Sequence, residues 1–339
     1  MTKEQLVNYL PAEYSGYYFC YPSANPYGTS TIKLSATGDY LAISYIYQTQ
    51  SDSNSIGYTK SGILILKNNG STYVRHNNFD IASTSCYGGS NSPNNSYCYL
   101  HASDDFSVIA TANILYDYSP NVNSYSYTYN YVLTGSPDSY TLKQINSSSI
   151  HIPLCALSKD GSCAVFIEVD TDSSGDNSFY YNVYSIDKNS NSVTKIGGLF
   201  YRNYYQVAED IVISADNHIW LIRQSNSTTG EVARLEHGKV ENGVFTKLTS
   251  DYMMTDGNGN YLYTSYSDTV SGSSYTYNGM FVDVKNNLLY IASRHKLYVC
   301  SMTKGSNGSL SSYTLINSIN NVSSYSSHSK VAITPNLVM

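Results

Sequence analysis

Seven histidines, His76, His101, His151, His218, His237, His295 and His328, are the side chains of this 339-residue chain best placed to exchange protons near neutral pH. No two fall within five residues of each other, so a local zinc or general-base motif of the H-E-x-x-H kind is missing, and they read as surface or turn histidines. The carboxylates form one suggestive local pattern. Asp170-Thr171-Asp172-Ser173-Ser174-Gly175-Asp176 partly matches a calcium-binding loop, with Asp170, Asp172 and Asp176 as its candidate ligands. Its twelfth position is Tyr181, where such a loop needs a bidentate Glu, and Asp and Gly are equally the residues of ordinary turns. There is no G-x-S-x-G elbow and no phosphate-cradling glycine loop. No catalytic residue is therefore assigned, and no cofactor is expected. The six cysteines, Cys20, Cys86, Cys98, Cys155, Cys163 and Cys300, make no C-x-x-C pair and read as free thiols in strands; Cys86 and Cys98 bracket one polar loop and are the pair to test for a bridge.

The tyrosines depart furthest from ordinary composition: 37 of them, against 8 Phe and 1 Trp. Tyr offers a large rigid face with a polar tip, and with Ser, Gly and Asn it makes the adaptable contact surface of antibody paratopes. It is also a good strand residue, so many of these rings must serve packing. In Tyr125-Ser126-Tyr127-Thr128-Tyr129-Asn130-Tyr131 the rings alternate, which sets four of them on one face of a strand. Tyr125, Tyr127, Tyr129 and Tyr131, with Tyr275 and Tyr277, are the expected partner- or glycan-binding residues.

Placing these side chains is the work of strands. One short helix is expected over Thr2–Leu10, started by a capping box and stopped by Pro11. Elsewhere one unit recurs: an apolar strand, a tight polar turn with Asp, Asn or Gly, and a second apolar strand. Its copies are anchored at Leu34, Leu100, Leu157, Ile213, Val282 and Val331. Further strand-like runs follow each hairpin, giving four strands per unit.

The stretches Met280–Cys300 and Ala156–Phe166 resemble the NHL and YVTN-type repeats of β-propellers, whose inner strands bracket an S-x-D-G-like turn. The resemblance implies an all-β fold, a single propeller of six blades with seven as the alternative. Residues 1–12 would form an N-terminal helix or arm, and 13–339 the propeller. A hairpin inserted at about 251–279 accommodates Met253–Tyr263, which lies too near the next copy to start a blade of its own. Lys330–Met339 supply only two inner strands, so the run Tyr17–Tyr21 is expected to act as an outer strand of a blade shared by both chain ends.

Charged residues make up only 13% of the chain and the net charge is −6, which excludes a basic nucleic-acid-coating protein. No apolar run is long enough to cross a bilayer, and the opening residues lack a signal-peptide pattern. The Tyr/Ser/Asn-rich surface looks like that of bacteriophage tail or capsid accessory proteins. The expectation is a non-enzymatic virion protein, made in host cytoplasm and present in multiple copies, that docks to neighbouring virion subunits. A carbohydrate-binding adhesin for host-surface glycan is the first alternative. The second is a glycan lyase or hydrolase using Asp104, Asp160, Asp216 and Asp283, and a cytoplasmic propeller is the alternative setting.

Overall fold

The computed structural model describes residues 8–10, 18–20, 32–48, 56–87, 97–117, 125–148, 155–171, 177–202, 208–227, 230–255, 279–292 and 296–320. Among these, every regular element is a strand. Five sheets follow one another along the chain, each a meander of four strands in chain order, with one further N-terminal strand added to the first. The first joins β2 (Ile32–Leu34), β3 (Tyr40–Gln48), β4 (Ile56–Asn68) and β5 (Tyr73–Tyr87), with β1 (Tyr18–Cys20) also on β3. The second holds β6 (Tyr97–Ala102), β7 (Val108–Asp117), β8 (Tyr125–Ser136) and β9 (Ser139–Ser148). The third holds β10 (Cys155–Leu157), β11 (Cys163–Thr171), β12 (Asn177–Asp187) and β13 (Ser192–Arg202). The fourth holds β14 (Ala208–Ile213), β15 (His218–Ser227), β16 (Gly230–Glu241) and β17 (Val244–Met253). The fifth holds β18 (Gly279–Asp283), β19 (Leu288–Ala292), β20 (Lys296–Lys304) and β21 (Leu310–Asn320). Repeated four-stranded meanders fit the blades of a β-propeller. The strands sort into two compact units, one built on β1 to β11 and the other on β14 to β21, with β12 and β13 divided between them.

The inner hairpins show why the sequence repeats. Ser35, Ser103, Ser158 and Ser214 each open a turn in which the Ser N–H donates to the carbonyl of Tyr40, Val108, Cys163 or His218 at 2.8–2.9 Å. Three residues after each Ser the backbone is left-handed, at Gly38, Phe106, Gly161 and Asn217 (φ 76°, 58°, 74° and 59°). Gly and Asn suit that region, whereas Phe106 is held there by its buried ring and by the Tyr140 hydroxyl, which donates to its carbonyl at 2.6 Å. Main-chain bonds also stitch consecutive turns together in the first unit. Ala36 N–H donates to the carbonyl of Asp104 at 3.0 Å, and Asp104 N–H to that of Lys159 at 2.7 Å.

The repeat extends to the outer strands. The pairings β4 with β5, β8 with β9, β16 with β17 and β20 with β21 all carry register shifts, and in three of them an isoleucine, Ile81, Ile145 or Ile316, is an extra residue, beside His76 in the first and Ser311 in the last. Such bulges bend and twist an outer strand. Apolar side chains fill the space between sheets: Ala42, Ile63, Ile65 and Ile81 pack with Leu100, Ile109, Leu115 and Leu133 between the first and second. Tyr45, Tyr47, Tyr99 and Tyr181 are fully buried, so rings do take core positions.

Three readings of the sequence change, and a fourth falls outside the described residues. Asn8–Leu10 form a turn and bend, and the rest of the expected helix over Thr2–Leu10 falls outside the described residues. Tyr18–Cys20 pair with Ile46–Gln48 on the edge of β3 that also carries β2, which is an inner and not an outer position. The expected partner strands in Lys330–Met339 lie outside the described residues, as does the inserted hairpin beyond Thr255, so blade number and closure rest on those segments. Cys98 is a free, buried thiol 3.6 Å from Thr111 Oγ1, which removes the Cys86–Cys98 bridge. Burial, against hydrogen bonds from Thr111 and Ser44, pushes the Cys98 thiol up to about 11, and Cys155, Cys163 and Cys300 are likewise free and buried.

Candidate functional site

A cleft of about 330 Å³ opens between the outer strands of the first and second sheets. One wall is β5, through Asp80, Ile81, Ala82 and Ser83, with Lys60 from β4; the other is Tyr129 and Tyr131 of β8 with Gln144 of β9. Local structure explains who points in. Tyr129 and Tyr131 are two apart in one strand and so share a face, and Gln144 is the direct cross-strand partner of Tyr131. The bulges at Ile81 and Ile145 occur on either side of the cleft, one in each wall. On the first wall the Tyr47 hydroxyl donates to Asp80 Oδ2 at 2.9 Å, and Lys60 Nζ lies 3.8 Å from the same oxygen and 5.9 Å from the Tyr47 ring. The carboxylate is thereby held in one orientation with its charge balanced. Burial and the neighbouring Tyr129 raise the Tyr131 phenol, so that ring meets the cleft with a neutral hydroxyl.

Of the six tyrosines expected from the sequence, the structure brings Tyr129 and Tyr131 together in this cleft. Tyr125 and Tyr127 lie farther along β8, opposite Asp117 and Leu115, and Tyr275 and Tyr277 fall outside the described residues. Asp170 lies near the end of β11, while Asp172 and Asp176 fall outside the described residues. Among the described residues no group of three or more His, Cys, Asp or Glu side chains could hold a metal ion, and no helix is long and apolar enough to cross a membrane.

The turn carboxylates are occupied by the turns. Ser103, Ser158 and Ser214 donate through Oγ to Asp105, Asp160 and Asp216 at 2.7, 2.7 and 2.5 Å. The equivalent residue in the second sheet is thus Asp105 and not Asp104, because the pattern is Ser with Asp two residues on. Lys188 and Lys304, each at the end of a third strand, reach Asp105 and Asp216 at 3.0 and 3.3 Å. Partial burial alone would raise the Asp105 carboxyl, but hydrogen bonds from Ser107, Ser103 and Lys188 hold it well below the usual range.

A second cluster was not legible from spacing. His218 Nδ1 and His237 Nε2 are 2.6 Å apart, and His218 Nε2 is 3.8 Å from Asp216 Oδ2. The Trp220 ring stacks on His237 with centroids 3.8 Å apart, and its Nε1 donates to Ser214 Oγ at 3.2 Å. Both imidazoles are buried, contrary to the surface or turn positions expected. They are 19 residues apart in sequence; the register of β15 with β16 sets Trp220 opposite His237, and His218 shares Trp220's face. The usable signal was the period-2 pair His218-x-Trp220 followed by a strand that must fold back on it.

No protein-family model matches the chain, and no curated protein matches it either. Among solved structures it is similar to an ancestral GH74 enzyme (11% identity, TM-score 0.37), with 84% of this chain and 35% of that chain covered, so the chain spans about a third of that enzyme's length. The WD40 domain of SCAP from fission yeast gives 11% identity and a TM-score of 0.32, covering 95% of this chain and 74% of the other. A glycosyl hydrolase from Bacteroides ovatus gives 11% and 0.24, covering 84% and 82%. At these scores the likenesses carry no argument about activity.

Proposed function

We propose that this chain is a non-enzymatic binding protein whose cleft between β5 and β8–β9 takes one or two sugar units of a glycan. The lining of that cleft carries the reading: two Tyr rings, an oriented carboxylate balanced by Lys60, an amide from Gln144 and a hydroxyl from Ser83, in a volume of about 330 Å³. Ring faces suit the C–H faces of a pyranose, and the polar groups suit its hydroxyls. A cleft of this size is at the small-ligand end of binding sites. Asp80 is the one carboxylate in the lining, whereas glycoside hydrolysis ordinarily uses two, which favours binding over cleavage.

Glycan-array binding followed by calorimetry tests this. Wild type is expected to bind, and Tyr129→Ala to weaken binding at least about tenfold, the loss of a stacking contact worth roughly 1–2 kcal/mol. Binding that is unchanged in Tyr129→Ala, or no glycan bound at all, overturns the reading. Within a virus particle, the setting suggested by composition, such a cleft would face host-surface glycan.

A further inference from the structure

The buried histidine pair departs from the repeat that surrounds it, and the repeat supplies the comparison. In the first, second, third and fourth sheets the residue whose carbonyl closes the inner turn is Tyr40, Val108, Cys163 or His218. Two positions on stand Ala42, Ala110, Val165 and Trp220, and opposite Ala42, Ala110 and Trp220 stand Ile65, Val132 and His237. Where the other copies use mainly small or apolar side chains, the fourth has His, Trp and His. These face a cluster in which Trp220, Ile222 and Leu235 pack with Leu289, Cys300, Met302 and Leu310 of the fifth sheet.

The partners set the tautomers. Asp216 Oδ2 beside His218 Nε2 favours hydrogen on that nitrogen, so His218 Nδ1 accepts and His237 Nε2 donates across the 2.6 Å contact. His237 Nδ1 is then a buried lone pair, and it has no hydrogen-bond partner. It is the acceptor left for an incoming proton, and that charge would lie flat on Trp220, with the Lys304 ammonium 5.9 Å from the same ring.

We propose that Asp216, His218 and His237 form an acid-sensitive latch, which keeps β15 and β16 packed on β20 at neutral pH and releases Trp220 when His237 takes up a proton. The surrounding charges are accounted for. Around His218, burial, Lys304 from β20 and Lys239 from β16 disfavour the imidazolium, while Asp216 in the turn and Glu241 at the end of β16 favour it. At His237, burial, His218 and Lys304 outweigh Asp216 and bring the imidazole down to about 3. An exposed imidazole binds its proton near 6.5, so the opened state protonates first. The latch is therefore at full strength above about pH 6.5 and weakens as pH falls toward about 3.

Trp220 is the chain's single tryptophan, so its emission reads this site alone. On acidification from about pH 7.5 to about 3.5, wild-type emission is expected to shift to the red and change about twofold in intensity. In the double variant His218→Val, His237→Val, which restores the apolar pattern of the other sheets, the acid step is expected to vanish or move down by at least about one pH unit. Should that variant fail to fold, hydrogen exchange at the C2 position of the wild-type imidazoles replaces it, with a His237 midpoint expected far below that of an exposed imidazole. Flat wild-type emission, the same acid step in the double variant, or a His237 midpoint near 6.5 would each overturn the latch.

Discussion

Gly161 shows how much one position carries. Its φ of +74° lies in the left-handed region, and a Cβ built there would come 2.8 Å from Val108 Cγ2 and 3.2 Å from Ser103 Cβ in the neighbouring sheet. Gly161→Ala is therefore expected to lose about 2–4 kcal/mol from the combined backbone and packing penalties, read as a shift of the urea midpoint at constant slope. A loss below about 0.5 kcal/mol would mean that the turn relaxes freely. This much was legible in the sequence, since Leu157-Ser158-Lys159-Asp160-Gly161 states a turn by residue type alone. Tyr129 and Tyr131 were legible as a face, because alternation puts them there. Their partners Lys60 and Asp80 were not: they belong to another sheet, and only packing between sheets sets them opposite the rings.

Strand and turn positions were predicted well because the inner hairpins obey local rules, and five of the six anticipated copies begin a described sheet. The outer strands obey a subtler one. Their bulges are invisible to period-2 patterning, since an extra residue such as Ile81 reads as an ordinary strand residue. Close approaches between strands are equally hidden. The Phe245 ring of β17 sits against Gly238 of β16 and Gly197 of β13, where added Cβ atoms would come within 2.4 and 2.7 Å of it. Gly238→Val should displace that ring and cost about 1–3 kcal/mol, whereas Val244→Thr at the exposed strand start should stay within about 0.5 kcal/mol, both by thermal melting. Equal effects of the two would show that the ring is not wedged. The expected N-terminal outer strand failed for a reason of the same kind: a run such as Tyr17–Tyr21 announces a strand but not which edge it joins.

For the molecule as a whole, scarcity of charge is the main clue to setting. With 13% charged residues, the chain has few groups for exposed ion pairs, which salt screens, and in the first unit main-chain bonds join successive turns. Such a surface suits exposure outside a cell, and it is the ground for proposing a virus particle as the site of action. Mass spectrometry of purified particles should then find the chain in several copies per particle; its absence from particles, with the protein recovered only in cell lysate, would reject the setting while leaving the glycan cleft to its own test. The stitch from sheet to sheet, Ala36 to Asp104 to Lys159, has one more implication. It is made of peptide groups, so a small apolar, an acidic and a basic residue serve it equally well. Substitution can wander there across generations with proline alone barred at 36 and 104, and an architecture fastened in that manner can persist long after its relatives have ceased to be recognisable letter by letter.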